Sequence, residues 1–428
     1  MTHTNAQKPV GYIQLLRTNT NFRNLWFGQV VSLLGDWFNL IASAALIAQL
    51  TQSGLAVGGL FVVRMLAQFI MGPFGGALAD RFNRKWILII TDFARAIIVL
   101  GFLLVHQAKD IWILYLTTIL QLGLSGIFFP TKDAMLPDIV TEDELGTANA
   151  LNSTTWSTML ALGAALGGVV AGEWGIAPSF IVDSLTFVVS GVMIWRISYT
   201  PPAPAAHTSG TVSVLQQYFD GIHYLREHGD VFVLAVQKAW MALAASSAFQ
   251  VIQVEISSKV FVVGEGGSTS LGLTYALIGA GTGFSPILAR AITGDREKPL
   301  RTAIMVGYGI TALGLLVIAP LTSFNLVLVG MFLRGFGVAI VWVFSTQLLM
   351  QKLPGHIRGR VFGTEYALFT LMNALGAAVG GWLLDAYHVS IPTMIGGLIV
   401  LVLVLGGHWL GWGLGKTRKP TQATASQG

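Results

Sequence analysis

Apolar residues run along this chain in twelve long stretches, separated by short polar or charged turns. A stretch of about 20 apolar residues is long enough to cross a bilayer as a helix. These stretches fall near residues 24–49, 55–79, 86–106, 111–130, 147–172, 177–196, 231–256, 270–293, 301–320, 323–348, 360–385 and 390–413. The pattern predicts an all-α membrane protein of twelve transmembrane helices. Two six-helix halves, 24–196 and 231–413, follow an N-terminal segment 1–23, are joined by a linker 197–230, and precede a polar tail 414–428 expected to be disordered. Composition agrees: 54% of residues are hydrophobic and 11% charged, against about a quarter charged in soluble domains. Lipid is the expected solvent.

The charges set an expected orientation, because cytoplasmic loops keep an excess of Lys and Arg. With the N-terminus inside, clusters such as Arg81, Arg84 and Lys85, or Arg296, Lys298 and Arg301, are cytoplasmic, and only Lys109 and Lys259 face outward. Both termini are then cytoplasmic in a multi-pass protein of the cell membrane. The net charge of +5 reflects this bias toward anionic headgroups and calls for no nucleic-acid partner. The chain has no cysteine, which excludes disulfides and thiol chemistry, and no motif asks for a cofactor or metal. The polar first 23 residues lack the basic-then-apolar pattern of a cleaved leader, so the first span is expected in the mature chain.

A shift of 217 residues superposes Leu136-Pro137 on Leu353-Pro354, Gly146 on Gly363, Ala150-Leu151 on Ala367-Leu368 and Gly163 on Gly380. Such correspondences argue for two halves related by a parallel repeat. Since one chain supplies both halves, a monomer is expected. Glycines four apart recur at Gly72/Gly76, Gly163/Gly167, Gly168/Gly172, Gly279/Gly283 and Gly376/Gly380, in the second, fifth, eighth and eleventh segments. Small residues at this spacing let helix backbones approach closely, so these segments are expected to make the contacts between halves. Between the halves, Pro201-Pro202-Ala203-Pro204-Ala205-Ala206 reads as a semi-extended linker. Leu215, Phe219, Ile222 and Leu225 follow at helical spacing, predicting an amphipathic helix on the inner membrane face.

The twelve segments, the repeat, and Gly76-Ala77-Leu78-Ala79-Asp80-Arg81-Phe82-Asn83-Arg84-Lys85 after the second segment resemble the major facilitator superfamily across roughly the whole chain. Asn83 stands where that loop's signature has glycine; asparagine tolerates positive φ better than most residues, so a tight turn survives. Leu25-Trp26-Phe27-Gly28-Gln29, Gly35-Asp36-Trp37-Phe38, Pro130-Thr131-Lys132-Asp133-Ala134-Met135-Leu136-Pro137 and Gly359-Arg360-Val361-Phe362-Gly363 are similar to the branch containing the enterobactin exporter and macrolide efflux pumps. The fifth segment lacks the proline of the antiporter motif, and the fourth lacks the arginine of many drug–proton antiporters. The resemblance implies that segments 1, 4, 7 and 10 line a central cavity, that 2, 5, 8 and 11 gate it, and that small amphipathic organic compounds are exported, with protons as the exchanged ion. A lysolipid transporter or a facilitated importer of the same fold is the alternative.

Ionisable residues at mid-membrane cost about 2.5–3.5 kcal/mol on insertion scales and are functional candidates by default. Asp36 in the first segment and Arg64 in the second are expected at similar depth, either as a proton-sensitive ion pair or as a permanent structural one. Lys238 and Arg334, with Gln121, Trp240 and Trp342, fall on segments assigned to the cavity and are candidates for its lining. Lys238 has the alternative of snorkelling to the interface, and Arg334 that of an internal partner. Asp92 and Arg95, three apart, satisfy one another on one helix face. Asp183 falls near the outer end of the sixth segment, where a capping or interfacial role competes with transport. In the gating loop, Gly76 permits close approach and Asp80 is placed to hold the positive N-terminus of the eleventh helix. Arg81, Arg84 and Glu365 are expected to pair when the cavity is closed to the inside.

No phosphate-binding loop of the Gly-x-x-x-x-Gly-Lys-Ser/Thr type is present, so energy is expected from a gradient. One charge moving through 100 mV gains about 2.3 kcal/mol. Gly123-Leu124-Ser125-Gly126 fits the short serine motif of rhomboid proteases. That chemistry needs a histidine base, and only His408 and His106 approach membrane depth. The chain is read as no enzyme.

Overall fold

The computed structural model describes residues 11–201, 214–294, 296–354 and 357–414. Twelve helices long and apolar enough to span a membrane are found among them. They are α1 (Thr20–Thr51), α2 (Gly54–Arg81), α3 (Arg84–Leu104), α4 (Ala108–Ile139), α5 (Glu142–Trp174) and α6 (Ile176–Trp195), then α7 (Gly229–Val260), α8 (Glu265–Thr293), α9 (Glu297–Ile318), α10 (Phe324–Lys352), α11 (Arg358–Ala386) and α12 (Ile391–Trp412). Short helices Tyr12–Thr18 and Val214–Glu227 lie outside the spans. No strand occurs among the described residues. The helix is what a lipid solvent demands, because it satisfies every backbone group within one segment.

The tight turns between spans are closed by side chains. Asn19, Ser53, Ser323 and Ser390 each accept a backbone N–H of the first turn that follows, and Thr141 with Glu144 forms a reciprocal capping box. Asn83 departs from expectation. Its φ is −63° and its side chain accepts Lys85 N at 3.0 Å, so the residue standing in for glycine works as the N-cap of α3, not as a left-handed turn.

Packing repeats between the halves. Helix α1 packs on α5, α2 on α4, and α3 on both α4 and α6; correspondingly α7 packs on α11, α8 on α10, and α9 on both α10 and α12. The halves meet through α2 against α11 and α5 against α8, which the repeat also relates. With six spans in each half, the start of α1, the end of α6, the start of α7 and the end of α12 lie at one end of the bundle, here called the terminal end; the opposite end is the far end.

Helix α4 runs nine residues past its expected limit of 130, to Ile139. Lys132 lies in this extension, where it is buried and its Nζ donates to Gln29 Oε1 of α1 at 3.2 Å. The linker helix forms as expected in sequence and docks on α11: Asp220 pairs with Arg360 at 3.0 Å, Leu225 is buried, and a Cβ on Gly221 would meet the Arg360 carbonyl at 2.6 Å. Among its described side chains, Phe219 and Ile222 stay exposed. The Leu215 side chain, the expected linker at 202–206, residues 1–10 and the tail beyond 414 lie outside the described residues.

Candidate translocation site

The two ends of the inter-half seam differ. At the far end the glycines of α2, α5, α8 and α11 bring backbones together. A Cβ on Gly58 would sit 2.5 Å from the Ala377 carbonyl of α11, and one on Gly168 would sit 2.7 Å from Cα of Gly272 in α8. A Cβ on Gly279, nearer mid-bundle, would lie 2.6 Å from Ala161 N. Two carboxylates reinforce this end. Asp385, at the close of α11, accepts Gly54 N at 2.8 Å, Leu55 N at 3.0 Å and the Ser53 hydroxyl, capping the N-terminus of α2. Glu265, at the start of α8, accepts Ile176 N of α6 at 3.1 Å. Each places a negative charge at the positive end of a helix in the other half.

Toward the terminal end the seam parts. Phe69 of α2 and Tyr366 of α11 still touch, ring centroids 6.2 Å apart. Beyond them, a Cβ on Gly72, Gly76, Gly146, Gly283 or Gly359 would meet nothing within 4 Å. The bundle is closed at the far end and open at the terminal end.

The gating-loop residues lie beside this gap. Asp80 and Arg81 are exposed. Arg84 bonds to Asp138 Oδ2 at 2.7 Å and to the carbonyls of Ala79 and Ala134, and Tyr199 donates to the same Asp138 oxygen at 2.9 Å. Burial, then the Asp138 carboxylate, push the Tyr199 phenol up to about 12, so it stays a donor throughout the physiological range. Glu365 is buried and accepts Lys238 Nζ at 3.1 Å. The expected Arg84–Glu365 pairing is therefore absent in this conformation: each residue holds a partner within its own half.

Asp36 and Arg64 are partly accessible although enclosed by neighbouring helices. Asp36 lies 16 residues into α1, roughly 24 Å along it at 1.5 Å per residue, near the middle. Its Oδ1 accepts Gln121 Nε2 of α4 at 3.3 Å. Arg64 and Arg95 are the cations whose fields reach it. No direct Asp36–Arg64 hydrogen bond forms, and Arg64 Nη1 is buried without a partner.

Behind Asp36 lies a dry extension that the sequence did not assemble. Asp92 and Arg95 pair as expected, but the pair is no isolated helix-face contact. Arg95 also donates to Ser125 and is sandwiched by the rings of Phe128 and Phe187 at 4.4 and 4.3 Å, and Asp92 accepts Ser190 Oγ at 2.7 Å. Asp183 is fully buried, within the fields of Asp36, Arg64 and Arg95. A capping or interfacial role at a helix end does not fit that position. The missed signal is Gly35: a Cβ there would clash with the Asp183 and Thr186 side chains. A glycine beside a mid-membrane aspartate marks where another helix's polar group is admitted.

The carboxy-terminal half holds its charges differently. Lys238 is buried against Glu365 and stacks 4.7 Å from the Trp342 ring. Arg334 is buried, donates to the Ala245 carbonyl of α7 and lies 4.3 Å over Phe249. Both cations have partners inside their own half, so neither is a free charge facing Asp36. Trp342 belongs to the Lys238 cluster; Trp240, 40% exposed, takes no part in these contacts.

A two-halved helical bundle of twelve spans, closed at one end over a polar centre, has the architecture of a membrane transporter built from repeats. A major facilitator superfamily model matches residues 25–377, and the chain belongs to that superfamily: it is a multi-pass membrane transporter and no enzyme. The chain is 27% identical over 403 residues to the uncharacterised MFS-type transporter YfiS of Bacillus subtilis strain 168, covering 91% of this chain and 93% of that one. It is 25% identical to the multidrug resistance protein MdtG of Yersinia enterocolitica (82% of each chain). Macrolide efflux protein A of Streptococcus pyogenes is 20% identical over 90% of this chain and 94% of its own. Among solved structures, a bacterial homologue of the iron transporter ferroportin matches with a TM-score of 0.72 at 14% identity, over 93% of this chain and 99% of that one. The nucleoside transporter NupG matches at 0.69 and 13%, over 91% and 99%.

Proposed function

We propose that this transporter is a secondary active exporter of amphipathic organic compounds, antibiotic or siderophore-like, which exchanges them for protons by alternating access. The observation that carries the proposal is Asp36: a carboxylate at mid-membrane on a partly accessible wall, oriented by Gln121 and flanked by the unpartnered Arg64. A carboxylate so placed changes charge with each proton it binds, and its attraction to Arg64 changes with it. The multidrug and macrolide-efflux names of two relatives support the direction and solute class. Lys and Arg concentrate in loops of the terminal end, so that end is assigned to the cytoplasm of a cell-membrane protein, and the conformation described above faces inward. The tail and the first segment are then cytoplasmic. Asp80 and Arg81 are assigned to an inner gate that closes on α11 in the opposite conformation, with Gly76 allowing the approach. The wall around Asp36 and Trp342, with Trp240 two positions from Lys238 on α7, is the region offered to solute; Gln121, which is buried, orients Asp36 from behind it, and Lys238 and Arg334 shape it from their own half. No cofactor is assigned, and a monomer is the working unit.

The test is pH-gradient-driven uptake into inside-out vesicles of macrolides, catecholate siderophores, cationic dyes and lysolipids, with Asp36→Asn alongside. Gradient-dependent uptake of macrolide or siderophore, lost in the variant, is expected. Uptake that survives collapse of the gradient overturns proton exchange, and uptake confined to lysolipids overturns the solute class.

A further inference from the structure

The buried cluster of the amino-terminal half contains three carboxylates, Asp36, Asp92 and Asp183, and two guanidinium groups, Arg64 and Arg95. Asp92 is taken by its direct pair with Arg95 and by Ser190. Asp36 stands on the accessible wall with Gln121 and the field of Arg64. Asp183 has neither a counter-cation in contact nor access to the cavity. It is fully buried, Thr186 Oγ1 approaches its Oδ1 only at 3.5 Å, and its Oδ2 has no hydrogen-bond partner.

Helix α1 contributes Asp36 and Asn39, α2 Arg64, and α3 Asp92 and Arg95; α5 meets α6 at its far end, where Glu173 is exposed. Three negative charges against two positive leave one uncompensated charge; at Asp183, which is fully buried, that charge lies out of reach of solvent, and a single proton removes it. The carboxylate without a partner is where that proton is held most favourably. Gly35 shows that the site is built, since α1 is cleared of a side chain there to admit Asp183 beside the backbone of Asp36.

We infer that Asp183 is a second proton-carrying residue of the transport cycle, resident on the peripheral helix α6 and acting behind Asp36. The inference rests on the proton-exchange reading above. In the conformation described, Asp183 holds its proton on Oδ2. On release the O–H bond breaks, the electron pair stays on the Asp183 carboxylate, and the proton passes to the carboxylate of Asp36, which gives it up in turn to water at the accessible side. The charge left behind is met by Arg64, whose Nη1 has no other partner. Reprotonation belongs to the opposite conformation.

Two measurements test this without depending on one another. Infrared difference spectra of the purified wild type at neutral pH, titrated upward without solute, are expected to lose a carboxylic-acid C=O band that is absent in Asp183→Asn and displaced in Asp183→Glu. A band identical in all three proteins overturns the inference. In proteoliposomes with radiolabelled erythromycin as probe, Asp183→Asn is expected to reduce gradient-driven accumulation at least about tenfold more than erythromycin exchange, with Asp183→Glu restoring part of the difference. Equal loss of both modes marks a structural role and overturns the inference. Wild type without gradient-driven accumulation of any probe overturns the proton-exchange reading instead, while the infrared band still decides whether Asp183 carries a proton. Should Asp183→Asn fail to fold, Asn39→Leu keeps the carboxylate and removes the amide donor that faces it from α1. The midpoint of the band is then expected at higher pH, because an N–H donor favours the charged form, and an unmoved midpoint overturns the inference.

Discussion

The far and terminal ends of the α2–α11 seam are built from the same parts and differ in state. Each is the antiparallel meeting of two helices whose glycines clear the way, and each has an aspartate at one helix's close near the other's start. At the far end the parts are engaged: Gly58 and Gly381 let backbones touch, and Asp385 caps α2. At the terminal end they are disengaged: Gly76 and Gly359 face nothing within 4 Å and Asp80 is exposed. The difference teaches that one end of the seam is engaged and the other is not; under the gate proposed above, the two ends are matching locks of which one is shut. A lock that caps a helix with a carboxylate is strong enough to select a state and weak enough to open, since an anion at a helix N-terminus contributes about 0.3–2 kcal/mol.

The largest effect is expected where space is absent. Gly58→Val drives a branched side chain into the Ala377 carbonyl, and overpacking of this kind costs about 1–3 kcal/mol. Transport should fall about tenfold or more. A thiol introduced by Leu384→Cys should become reactive from the far side, a clean readout because the chain has no cysteine of its own. An unreactive thiol and normal transport would break the comparison. Next comes Asp385→Asn, which keeps the shape and removes the charge; opening of the far end should rise roughly fivefold, equivalent to about 1 kcal/mol, in the same labelling assay. Asp80→Asn should leave the thermal midpoint of this conformation within about 2 °C, because the residue is exposed here. It should nevertheless slow transport, which requires the terminal end to close; unchanged transport would mean the two ends are not equivalent. Smallest is Gly76→Ala, expected to alter stability by under about 0.5 kcal/mol, against the large cost at Gly58.

The spans were legible because lipid imposes one rule everywhere, a long apolar run with its charges at the ends, and no such rule governs interiors. The expected limits missed most where the interior supplied a partner. Helix α4 continues through Lys132 because Gln29 receives its ammonium, which hydropathy does not encode. Depth along a helix was readable for Asp36 but not azimuth: Lys238 and Arg334 sit on the expected helices yet turn toward Glu365 and the Ala245 carbonyl. Nearness to a helix start, seven residues from Ile176, left Asp183 divided between a capping role and transport. Its burial follows from Gly35, 148 positions earlier in the chain, a pairing that periodicity along one segment does not contain.

The contact of Arg334 with the Ala245 carbonyl bears on how α7 moves. That carbonyl lies in a π-helical turn, Ala242–Ser247, and a second such turn, Ile256–Val260, closes the span. A π turn accommodates one residue more than an α turn. Resolving the first into regular α-helix would rotate everything beyond it by about 100° and shift it by about 1.5 Å. Phe249 and Gln253 would then present a different face to their neighbours while the first turns of α7 stayed fixed. Arg334, bonded to the Ala245 carbonyl inside the irregular turn, would have to release it before that rotation could occur, so the same contact that buries the guanidinium also pins the register of α7.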